Sequence, residues 1–110
     1  MKSELCYIYT AYVADCPPSP SSEDLTGREW LARELTHQGV DSFTLTDADG
    51  QYKKERERSL VVDCIDTEED PFLRDKMNRA TSLYCRVFNQ QSVLITRSVV
   101  TVYHSNARTY

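Results

Sequence analysis

A chain of 110 residues has room for one domain, and at this size folding buries roughly 60% of the unfolded surface, enough for one sheet and two helices. Apolar residues at 40% and charged residues at 27% exclude a wholly disordered chain, and a net charge of −4 argues against nucleic-acid binding by phosphate neutralisation. No apolar run approaches the length of a membrane span.

Leu5 to Val13 sets Leu5, Tyr7, Tyr9, Ala11 and Val13 against Cys6, Ile8, Thr10 and Tyr12. Both sets are largely apolar, which predicts a central strand covered on both faces. Cys16-Pro17-Pro18-Ser19-Pro20 ends it, because proline neither continues a ladder nor lets the preceding residue turn helical. Ser21 or Ser22 is then placed to cap a first helix, with Glu23 and Asp24 complementing its dipole. That helix carries Trp30, Leu31 and Leu35 and stops at Gly39. Ser42–Thr46 is a second strand, and Asp47-Ala48-Asp49-Gly50 reads as a turn.

The charged stretch 51–58 follows, its lysines and arginines interleaved with glutamates as on a solvated strand or turn. Ser59–Ile65 is a third strand. Asp66–Asp70 is an acidic loop leading into a second helix, with Pro71 in its first turn. Leu73, Met77, Ala80, Tyr84 and Val87 then fall at i, i+4, i+7, i+11 and i+14, a stripe facing the core. Gln91–Tyr103 is a last strand, with a bulge or bend expected near Arg97-Ser98.

Strand, helix, strand, strand, helix, strand over residues 1–110 is the order of a single ferredoxin-like domain, an α+β sandwich. It places two helices on one face of an antiparallel sheet. Since strand neighbours alternate sides, Tyr7, Tyr9, Val62, Cys64, Val93 and Ile95 are not all expected to meet two short helices, and an oligomer covering the second face follows.

Four cysteines permit three disulfide pairings, but Cys6, Cys64 and Cys85 sit in apolar patterns where free cysteine acts as a small hydrophobe. No Cys/His spacing suits zinc, so no metal is expected. Met1–Glu4 leads straight into a strand pattern, and the expectation is a cytoplasmic protein without a secretory signal. His37 lies near a helix end, where its favourable interaction with the dipole explains it. Asp66, Glu68, Glu69 and Asp70 read as a solvated helix start rather than an ion site.

Tyr7-Ile8-Tyr9 comes early, Gly50-Gln51-Tyr52 in the middle, and Glu57-Arg58-Ser59-Leu60-Val61-Val62-Asp63-Cys64 leads into the third strand, with Gln91-Ser92-Val93-Leu94-Ile95 at the close. In pattern and order over most of its length, the chain resembles the phage-encoded S-adenosylmethionine lyases, formerly called hydrolases. Tyr52 and Glu57 match that family's functional tyrosine and glutamate. The loop between them is shorter here, so Glu55 is the alternative carboxylate.

The resemblance implies a homotrimer with sites between subunits, substrate binding by Tyr52, Glu57, Glu55 and Tyr9, and no cofactor or metal. It implies cleavage of S-adenosylmethionine to 5′-methylthioadenosine and homoserine lactone. In a host cytoplasm this would deplete the methyl donor of restriction and methylation systems. Two other readings fit the same residues. One is an oligomeric module that binds a nucleotide-type molecule without turnover, as a sponge or regulator. The other is a phage protein that binds a host protein through its open sheet face. Taken singly, a tyrosine at a strand end is commonly packing, and a glutamate between arginines is commonly a weak surface ion pair.

Overall fold

The computed structural model describes residues 2–52, 55–66 and 70–105, with the side chains of these apart from 2, 50–52 and 55–57. Strand β1 spans Lys2–Ala14, helix α1 Gly27–His37, β2 Thr44–Tyr52, β3 Glu55–Asp66, α2 Leu73–Val87 and β4 Leu94–His104, with a short 3-10 turn at Pro20–Ser22. The sheet order is β2-β3-β1-β4, and every neighbouring pair is antiparallel. This is the α+β, ferredoxin-like arrangement that the element order predicts.

One face of the sheet makes the core. Tyr9, Ala11 and Val13 of β1 lie opposite Cys64, Val62 and Leu60 of β3, and all six are buried with Trp30, Leu31 and Leu35 of α1 and Leu73, Met77, Ala80 and Tyr84 of α2. The α2 stripe is the one its 3.6-residue period predicts, with Val87 packed at its rim. Trp30 meets Tyr84 and Phe88 edge-on, with ring centroids 5.9 and 6.0 Å apart, so one aromatic cluster joins the two helices. Burial pushes the Cys64 thiol up to about 12, with Asp63 beside it adding to the effect. Cys64 is a core filler rather than a nucleophile.

By alternation Tyr7, Tyr9, Val62 and Cys64 fall in one set on the helix side, but as expected not all of the six meet the helices: Tyr9, Val62 and Cys64 are buried, Val93 and Ile95 pack at the core's edge, and Tyr7 is 41% exposed. The opposite face carries Ile8, Tyr12, Val61, Ile65, Leu94 and Val100, crossed by a Thr10–Asp63 hydrogen bond of 2.6 Å and a Glu4–His104 pair at 2.8 Å. On it Tyr12, Ile65 and Leu94 are 44, 45 and 63% exposed.

Several boundaries also differ from expectation. The serines at 21 and 22 close the 3-10 turn, and α1 starts later, where Thr26 and Glu29 cap one another reciprocally at 3.1 and 3.2 Å. Gly27 is therefore the first residue of α1. The helix ends as predicted: Gly39 takes a left-handed φ of +86°, and the Val40 amide returns to the Leu35 carbonyl at 3.0 Å.

Asp47–Gly50 is not a turn. Those residues extend β2, paired Asp47 with Leu60, Ala48 with Ser59, Asp49 with Arg58 and Gly50 with Glu57. Ladder pairing there outweighs the turn preference of the local composition. No bulge interrupts β4, since its register with β1 runs unbroken from Lys2–His104 to Tyr12–Leu94. Phe72, not Pro71, sits at the start of α2, and its amide is taken up by the Asp70 carboxylate at 2.9 Å. Of the acidic loop, 67–69 lie outside the described residues.

Candidate functional site

β1 covers β3 only from Asp66 back to Ser59, whereas β2 accompanies β3 to the Tyr52–Glu55 pair. Residues 49–52 and 55–58 thus form a two-stranded ribbon that leaves the sheet beside the end of β1. Five contacts fix the junction. The Asp15 amide donates to the Arg58 carbonyl at 2.9 Å, and the Gly27 amide donates to the Cys16 carbonyl at 2.8 Å. The Tyr84 hydroxyl donates to the Ala14 carbonyl at 2.5 Å. Arg28 holds Asp47 at 2.9 Å and the Leu45 carbonyl at 3.2 Å, tying α1 to β2.

Gly27 is required at this junction. A β-carbon there would run into the Tyr84 hydroxyl and press on the Cys16 amide. Burial is the main cause that pushes the Tyr84 phenol far above its ordinary range, and Cys16 adds to it. The phenol therefore keeps its proton and stays a donor at every working pH.

Two adjoining cavities open here. One, of about 300 Å³, is lined by Asp15, Asp47, Asp49, Arg58 and Ser59. The other, of about 420 Å³, shares Asp15, Asp47 and Arg58 and reaches Thr26 and Arg28 at the start of α1. Three carboxylates and two guanidinium groups therefore surround one depression, of a volume ordinary for a small-molecule site. Among the described residues, no group of three or more His, Cys, Asp or Glu side chains is arranged to hold a metal. His104 is engaged by Glu4, and His37 lies in the last turn of α1.

The sequence candidates fall into two places. The ladder sets position 52 across from 55 and position 57 across from 50, so Tyr52, Glu55 and Glu57 share one end of the ribbon. Their side chains lie outside the described residues. Tyr9 is elsewhere: it is 8% exposed in the core and opposite Cys64. Position 57 lies seven steps along β3 from Cys64, about 23 Å at the usual strand rise. One protomer does not bring Tyr9 to Tyr52 and Glu57.

In the sequence Asp15 and Arg28 belong to no motif, and Arg58 sits in a stretch whose interleaved charges predict a solvated run. Their positions, 15, 28 and 58, carry no common motif. The signal that links them is the β1–β3 register, which a single sequence does not display.

The family model described as "Protein of unknown function (DUF3574)" matches residues 19–104. None of the curated proteins matches the chain in sequence. Among solved structures, a protein described as a PII-like signalling protein from Thermus thermophilus is similar with a TM-score of 0.55 at 19% identity, over 93% of this chain and 92% of that one. CPII, a nitrogen regulatory PII-like protein from Thiomonas intermedia bound to ADP, AMP and bicarbonate, gives 0.54 at 9% identity, over 96% and 100%. A phage S-adenosylmethionine lyase in complex with S-methyl-5′-thioadenosine gives 0.52 at 15% identity, over 90% of each chain. Identities this low show a common fold, and a fold alone does not fix an activity.

Proposed function

This chain belongs to the DUF3574 family, and from that premise we propose that it binds S-adenosylmethionine and cleaves it to 5′-methylthioadenosine and homoserine lactone. The observation that carries the reading is the ladder at the ribbon's end, where positions 52, 55 and 57 stand together. The fold shared with a phage lyase that holds S-methyl-5′-thioadenosine supports it.

The reaction asks little of the protein. The substrate's own carboxylate oxygen attacks its γ-carbon and forms the lactone C–O bond. The C–S bond breaks, its electron pair passes to sulfur, and the sulfonium leaves as a neutral thioether. No oxidant, metal or external base enters the balance. The protein's part is to fold the methionine tail so that oxygen meets carbon, in a place where loss of the sulfonium charge is not opposed by water.

In this reading Glu57, or Glu55 in its place, holds the ammonium or sulfonium end by charge, while Tyr52 offers a hydroxyl and a ring face to the cation. Tyr9 contributes by packing. The apolar open face of the sheet, with Tyr12, Ile65 and Leu94 exposed, supports assembly into a homo-oligomer, a trimer as the resemblance implies, that would enclose the ribbon from a second side.

Incubation of the purified protein with S-adenosylmethionine, followed by chromatography for methylthioadenosine, tests the reading. Turnover is the expected result, and Glu57→Gln is expected to abolish it while the protein still folds and assembles. A native mass of one 12.7 kDa chain would count against sites shared between subunits.

A second reading has its own support in the equal likeness to CPII, which carries ADP and AMP: an oligomeric module that binds an adenosine-bearing ligand without turnover. Stoichiometric retention of S-adenosylmethionine or ADP with no product would favour it. If neither ligand binds, the open sheet face remains, as a surface for a protein partner.

A further inference from the structure

A second site is carried by the other face of the ribbon. The register puts 47, 49 and 58 in one alternate set, with the core residue Leu60, and 50, 52, 55 and 57 in the other. The cavity takes its charged lining, Asp47, Asp49 and Arg58, from the helix-side set together with Asp15, while Ala48 and Ser59 of the other set complete it.

Among the described residues, only part of its charge is paired. Asp47 is held by Arg28, but among the described residues the side chains of Asp15, Asp49 and Arg58 make no hydrogen bond or ion pair with one another or with any neighbour. Asp49 and Arg58 are direct cross-strand partners, the placement in which opposite charges ordinarily attract and pair. Here both border a cavity of about 300 Å³ and remain apart. The surrounding frame is fixed by backbone: Asp15 is pinned to the Arg58 carbonyl, and the residues on either side of it are pinned by Tyr84 and Gly27. A site whose walls are already positioned loses less entropy on binding.

We infer that this cavity binds a small zwitterion of the α-amino-acid type, with its carboxylate on Arg58 and its ammonium between Asp15 and Asp49. A bare anion would face the carboxylates of Asp15 and Asp49, and a bare cation would face the Arg58 guanidinium. A ligand carrying both signs satisfies both walls, and a guanidinium grips a carboxylate through two parallel hydrogen bonds. The site stands independently of the proposed cleavage reaction.

Titration of ¹⁵N-labelled full-length protein with L-methionine, followed by amide shifts, tests it. L-methionine is expected to move the amides of Asp15, Asp49, Arg58 and Ser59 with a Kd of about 1 mM or tighter. Methylammonium and acetate at equal concentration are expected to leave them in place. Arg58→Gln and Asp49→Asn are each expected to weaken L-methionine by about tenfold, the loss of one charged hydrogen-bonded contact, with the remaining spectrum preserved. An equal response to either singly charged probe, a response to magnesium chloride alone, or none at all would overturn the zwitterion site. Turnover of S-adenosylmethionine is scored separately, so either proposal can fail without the other.

Discussion

The two ends of β3 are built on different principles. From Ser59 to Asp63 the strand lies between β1 and β2 under two helices, and every second side chain from Leu60 to Cys64 is locked in the core. From Glu55 to Arg58 the same strand has β2 alone beside it. The first part is specified by packing, the second by ladder pairing and by the contacts at its root. A two-stranded ribbon is at best marginally stable in water on its own, so its position depends on Asp15, Arg28 and Tyr84 at the junction. Volume is what constrains the covered half. In the ribbon the constraint is charge and register, which leaves the surface free to be chemically specific.

That contrast is easiest to break in the core. Leu31→Ala should lower stability by about 2–5 kcal/mol, the cost of a buried leucine plus the cavity it leaves. Asp49→Ala in the ribbon should stay within about 0.5 kcal/mol. Urea unfolding of both variants checks the pair, and equal losses would erase the distinction. The junction should fall between them. Gly27→Ala forces a methyl group against the Tyr84 hydroxyl and should cost about 1–3 kcal/mol, as overpacking does. Combining it with Tyr84→Phe should recover part of that loss, and strictly additive effects would show that the two residues do not meet.

The smallest effect is expected at the start of α2. The hydrogen bond from Lys76, at 2.7 Å, is the main cause that holds the Asp70 carboxyl below its ordinary value, with the Phe72 amide helping. A carboxyl depressed in the folded state adds stability that is fully present above its unfolded value and is lost as the pH falls through the folded one. Asp70→Asn should therefore flatten the pH dependence of the urea midpoint below about pH 4. Above that pH the slope should match that of the parent protein.

These differences also mark what a sequence can disclose. The α2 stripe and the Gly39 stop were legible, because a 3.6-residue period and a left-handed cap are local facts. The order of six elements followed from them and from the apolar strands, and with it the fold. Asp47-Ala48-Asp49-Gly50 misled because its composition favours a turn, while its conformation is decided by residues 57–60 across the ladder. Ser21 and Ser22 misled in the same way, satisfying a 3-10 turn ahead of the helix they resemble caps for. Of the candidate site, Tyr52, Glu55 and Glu57 lie close in sequence, so their sharing one ribbon needed no long-range information. The cavity on its other face was hidden, since Asp15, Arg28 and Arg58 meet only through the register of β1 on β3.

The unbroken pairing of β1 with β4, from Lys2–His104 to Tyr12–Leu94, has a consequence for synthesis. As the polypeptide leaves the ribosome, one edge of the central strand has no occupant until residues 94–104 have been made, and contacts this distant in sequence are slow to close. A row of unsatisfied amides and carbonyls beside Tyr7, Ile8 and Tyr9 is an open invitation to another nascent chain. Shielding of that edge by a chaperone, or rapid release after termination, would be the step on which the yield of folded protein turns.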